Sequence, residues 1–157
     1  MRASRSVLLV ALLALGPAGC GSNEASPTPG VTVSNLALTV APNPITAVQS
    51  SPSGPTFVLR YTATLTESAG LGGTVELISG SLYDSATGVL IARNQFDAAD
   101  LTVFVGSNRV PPMGSLAIPQ ELSYIAPAKR AATVVVTIRF RDDRGNLIEP
   151  AQLVNTN

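Results

Sequence analysis

The residues that could do chemistry in this chain are few, and most of them are carboxylates near turns. Asp142 and Asp143, with Asn146 and Glu149, place four oxygen-bearing side chains within eight positions. That donor set suits a hard cation such as calcium. The same residue types are also what a hairpin turn requires, and Arg141 and Arg144 flank them with positive charge, so a turn without metal is expected. Asp97 and Asp100 stand three apart and could form an acid pair; at that spacing they are expected to cap a local turn. Glu67 and Glu76 flank a Gly-rich stretch and are expected to be solvated on strand faces. No pair of acids has a reason to be held at the separation that glycoside hydrolysis demands.

Absences narrow the chemistry further. The chain has no histidine and no tryptophan, and a single cysteine, Cys20. Without histidine there is no Ser-His-Asp or Cys-His catalysis, no His-ligated zinc and no imidazole acid–base step. Aromatic residues are 4% of the chain, a poor platform for stacking sugars or single-stranded nucleic acid. Beyond Arg2 and Arg5, eight basic side chains face ten acidic ones, which is not the footprint of a nucleic-acid binder. The expectation is a protein that is not an enzyme, with no cofactor, no metal and no evident small-molecule substrate.

The first twenty residues have their own organisation. Arg2 and Arg5 precede the apolar run Val7–Leu15, followed by Gly16, Pro17, Ala18, Gly19 and Cys20. This is the layout of an export signal, too short to span a bilayer as a helix. Exported proteins use cysteines in pairs, and Cys20 has no partner. Ala18 and Gly19 before Cys20 resemble the lipobox of bacterial lipoproteins, with Pro17 standing where that family usually has Leu. The resemblance implies cleavage of residues 1–19, acylation of Cys20 and anchoring to membrane lipid. With Gly21 after the cysteine, it also implies the outer membrane of a two-membrane cell. Residues 20–30, rich in Gly, Ser and Pro, read as a flexible tether, and residues 31–157 as the folded domain.

That domain is patterned as strands. Phe57, Leu59, Tyr61, Ala63 and Leu65 alternate with polar residues, as do Val134, Val136, Ile138 and Phe140. Period-two alternation is the mark of an antiparallel strand with one buried face. Further strands are expected over 30–41 with a break at Asn35, over 74–84 with a bulge near Gly80, and over 89–96. Others are expected over 101–105, over 115–124 as an edge strand because of Pro119, and over 147–154. Turn signals recur about every ten residues, so the fold class is an all-β antiparallel sandwich of about seven to eight strands. It resembles the immunoglobulin-like and fibronectin-type-III-like modules of bacterial surface proteins, in pattern rather than by a motif; a small barrel is the alternative.

The function implied is a lipid-anchored module of the cell envelope that binds an envelope protein or acts as a spacer. The alternative is an inhibitor of a protease or hydrolase, inserting one of the Pro-rich loops at 42–55 or 106–114. Leu71, Asp142, Asp143 and Arg144 form a contact patch if the turns at 71 and 143 share an end of the sandwich. They do so only if 101–105 is not a full crossing strand.

Overall fold

The structure is a computed structural model that describes residues 30, 32–52 and 54–157. The export signal, Ala18, Gly19, Cys20 and most of the tether lie outside the described residues. Among the described residues there are ten strands and one short helix, arranged as two antiparallel sheets packed face to face.

The first sheet is built on β3 (Thr56–Glu67). On one side β3 pairs with β1 (Leu36–Ala41) along its second half and with β2 (Ala47–Gln49) along its first. Its other side pairs with β7 (Ser115–Ile125) along the full length, with Tyr61 opposite Gln120. The second sheet is built on β4 (Gly73–Asp84) and β8 (Ala132–Asp142), also paired end to end. β5 (Leu90–Asp97) and β6 (Arg109–Val110) extend it beyond β4. β9 (Leu147–Ile148) and β10 (Ala151–Asn155) extend it beyond β8.

Alternation in the sequence becomes the core. Leu59, Ala63 and Leu65 of β3, Ile118 of β7, and Val134, Val136, Ile138 and Phe140 of β8 are all fully enclosed. Burying each large aliphatic side chain is worth roughly 1.5–3 kcal/mol. Pro119 sits on β7, whose carbonyl at Glu121 is turned away from β3 and accepts from Asn94 Nδ2 at 2.8 Å. Odd positions of β7 thus address the free edge, where a missing N–H costs no ladder bond. The opposite edges of the two sheets are joined by backbone: Ile45 N donates to Asn155 O at 3.0 Å and Asn157 N to Ile45 O at 3.1 Å.

Several local expectations are corrected. The strand expected over 30–41 begins only at Leu36. Segment 42–55, read as loop, contains β2, and Ile45 within it is fully buried. The register slip in β4 lies between Val75 and Leu77, not at Gly80. Glu76 is the extra residue, which lets Val75 and Ile78 both face inward. Residues 101–105 are not a strand. Residues 101–104 belong to α1 (Ala98–Phe104) and Val105 is its C-cap; the helix is nucleated by a capping box in which Asp97 accepts from Ala99 N and Asp100 N while Asp100 accepts from Asp97 N. Such reciprocal capping satisfies orphan donors of the first turn and favours the helix over an exposed strand. Leu101 anchors it as its single buried residue. The closing segment is two strands, broken at Glu149 and Pro150.

Candidate functional site

Because α1 replaces a crossing strand, the turns after Leu71 and after Asp142 meet at one end of the sandwich. Asp143 N donates to Gly72 O at 2.9 Å. Ser34, from the segment before β1, bridges both turns: its hydroxyl donates to Leu71 O and its amide to Asp142 Oδ2.

Two carboxylates organise this end from within. Asp142 is buried and accepts from Arg144 N at 3.0 Å, Asn146 N at 2.8 Å and Asn146 Nδ2 at 2.8 Å, besides Ser34 N. Burial alone would raise its pKa. The Asn146 side chain and the three backbone donors outweigh burial and hold the carboxyl below the usual range. Glu67 corrects the expectation of a solvated strand-face acid, since it is 1% exposed. Its Oε1 accepts from Ala69 N at 2.7 Å. Its Oε2 accepts from Gly70 N, Leu71 N and Met113 N at 3.0, 3.2 and 3.0 Å. Four N–H dipoles converge on one carboxylate, shaping the Gly-rich turn and tying it to the turn before β7.

The four residues expected to form a contact patch therefore divide. Leu71 is 2% exposed and packs inward, and Asp142 is spent on its own turn. Asp143 forms a bidentate pair with Arg109 at 2.9 and 2.8 Å. Arg144 is exposed. A plug at a sandwich end and a turn-forming acid are structural positions; only Asp143 and Arg144 present side chains to a partner. Four other acids are similarly engaged. Asp97 and Asp100 cap α1, and Glu76 pairs with Arg139 and Arg141 at 3.3 and 2.5 Å. Asp84 accepts from the Thr87 N–H and hydroxyl and from Ala86 N, which lowers its pKa.

The loops considered as inserts are also partly built in. Segment 42–55 carries β2, and segment 106–114 carries β6 with Val110 fully buried.

A second feature has no counterpart in the sequence reading. A groove of about 630 Å³ crosses the outer face of the first sheet. Its lining comes from five places: Ala41 and Pro42, Arg60 to Thr62 on β3, Pro119 to Glu121 on β7, Phe96 on β5 and Phe104 on α1. Phe96 and Phe104 meet edge to face at 4.9 Å, and Phe104 is 44% exposed. Arg60 Nε donates to Glu121 Oε2 at 2.8 Å, an exposed pair that supplies charge beside the aromatic wall. Phe96 and Phe104 are half of the four phenylalanines in the chain, so their meeting at the surface is informative. The sequence signal available was Val103-Phe104 next to a polar turn, an apolar pair that a seven-residue helix with one buried anchor cannot enclose.

No protein-family model and no curated protein sequence matches the chain. Among solved structures the fold is similar to the Northeast Structural Genomics Consortium target SoR45, with a TM-score of 0.55 and 13% identity over 78% of this chain and 85% of that one. It is similar as well to the putative ApaA protein from Bordetella pertussis, with a TM-score of 0.55 and 16% identity over 77% and 93%. The chain is an all-β sandwich module. At these identities the likeness is one of fold, and fold alone assigns no activity.

Proposed function

We propose that this protein is a lipid-anchored, non-catalytic β-sandwich of the cell envelope that binds another envelope protein. The observation that carries the binding reading is the groove, where the exposed Phe104, packed edge to face on the half-buried Phe96, stands beside an accessible arginine–glutamate pair. Aromatic and arginine side chains on a concave surface are the composition of protein-binding hot spots. The engagement of Glu67, Asp142 and Asp143, of Asp97 and Asp100, and of Glu76 and Asp84 in caps, turns and surface pairs supports a role without acid–base catalysis. The anchoring reading is supported by Cys20, a sole cysteine closing an export signal, and Gly21 after it favours the outer membrane of a two-membrane cell.

In-cell cross-linking of the tagged protein tests the reading. One envelope protein captured at high yield, and lost in Phe104→Ala, is the expected result. Capture of abundant neighbours alone, unchanged in Phe104→Ala, would reduce the domain to a spacer.

A further inference from the structure

We infer that the end of the sandwich where the described chain begins rests on the bilayer, with Val33, Met113 and Leu147 at the lipid boundary and Arg144 toward anionic headgroups. The inference depends on the acylation of Cys20 proposed above.

The argument starts from chain length. Twelve peptide units separate Cys20 from Thr32, a contour of about 40 Å at most. Thr32 is already fixed to the sandwich, because Asn146 Nδ2 donates to its carbonyl at 2.8 Å. Ser34 follows immediately, bonded to both Leu71 O and Asp142. The anchored chain thus joins the domain among the turns at 68–72 and 142–146. The far end is a strand length beyond: the twelve residues of β3 rise about 40 Å. The end holding Thr32 is the one the anchor keeps next to the membrane.

What that end presents suits a bilayer surface. Val33, Met113 and Leu147 are 48%, 63% and 51% exposed, each from a different segment. Met113 is the sole non-glycine residue with positive φ among the described residues, at 54°. That region is strained for a residue with a Cβ. The conformation is held by the Met113 N–H on the buried Glu67 carboxylate. Glycine would meet the same backbone demand without strain; methionine adds a long, adaptable apolar side chain outside the core. Charge agrees with this placement. Of the side chains this end exposes, Asp143 is matched by Arg109 and Arg144 adds a positive charge, while the carboxylates of Glu67 and Asp142 are turned inward. Interfacial binding combines shallow apolar insertion with attraction to anionic lipid in this way.

The test uses the mature, full-length protein reconstituted in vesicles of phosphatidylethanolamine and phosphatidylglycerol. An environment-sensitive fluorophore is attached at Met113→Cys in one sample and at Thr87→Cys, in the far turn, in another. Intact mass reports acyl chains on Cys20 in both. The expected result is an acylated protein with a blue-shifted Met113 probe quenched by shallow nitroxide lipids, and a Thr87 probe in water. Acylated protein with both probes behaving alike would overturn the orientation while leaving the anchor standing. Protein without acyl chains would overturn both readings.

Discussion

Gly80 and Tyr61 face each other across the sandwich, and a double-mutant cycle at this contact tests the packing argument directly. A Cβ at Gly80 would collide with the Tyr61 hydroxyl and stand 2.7 Å from Asn94 Oδ1 and 3.3 Å from Leu122 Cδ1. Overpacking of this kind costs about 1–3 kcal/mol. Alanine recovers roughly 0.5–1 kcal/mol of backbone entropy relative to glycine in a strand. The net expectation for Gly80→Ala is a loss of about 1–2 kcal/mol. The Tyr61 hydroxyl is buried with no hydrogen-bond partner among the described residues, and burial pushes its pKa above the ordinary phenol range. An unsatisfied buried hydroxyl is itself a cost, so Tyr61→Phe is expected to be neutral or to stabilise by up to about 1 kcal/mol. Because the closest clash is with the atom that Tyr61→Phe removes, the two changes are expected to couple by about 1 kcal/mol. Asn94 Oδ1 remains close, so rescue is partial. Urea unfolding followed by far-ultraviolet circular dichroism gives all four corners of the cycle. Additive effects would refute the claim that Gly80 is small to admit Tyr61. A Tyr61→Phe loss above about 1 kcal/mol would show that the hydroxyl has a stabilising partner after all.

Other residues give simpler expectations. Glu67→Gln replaces an acceptor with a donor facing a backbone N–H and is expected to cost about 2–3 kcal/mol in the same urea assay, far more than a surface change. Asp142 has a depressed pKa in the folded state, so its contribution is present above the unfolded value near 3.8 and lost as pH falls through the lower folded value. Stability measured from pH 6 down to pH 2 should fall with acid, and Asp142→Asn should flatten that fall below about pH 4. Glu76→Gln breaks only exposed pairs with Arg139 and Arg141 and is expected to change stability by less than about 1 kcal/mol. Phe104→Ala, at an exposed end of α1, should leave the unfolding midpoint nearly unchanged while abolishing partner capture.

What could be read from the chain was whatever a residue's immediate neighbours decide. A pleated strand sends successive side chains to opposite faces, so the alternation in 56–67 and 133–141 identified the buried face of β3 and β8 without reference to any partner. Pro119 marked a free edge for an equally local reason, the missing N–H. The composition, without histidine and with one cysteine, removed whole classes of chemistry in the same way.

Tertiary structure decided everything that depends on groups far apart in sequence. Glu67 is buried because Met113, 46 positions on, supplies one of its four N–H donors; a single strand cannot announce that. The bulge fell at Glu76 because β8 sets the register of β4, and Gly80 serves Tyr61 on the opposite sheet. Residues 101–105 have strand-like composition, yet the Asp97–Asp100 capping box and the burial of Leu101 make them the end of a helix and its C-cap. That choice brought the 71 and 143 turns together and buried half of the expected patch. The groove is the extreme case, assembled from residues between Ala41 and Glu121 on five elements and the turn at Pro42. A concave surface belongs to no one of them, so no local pattern could carry it.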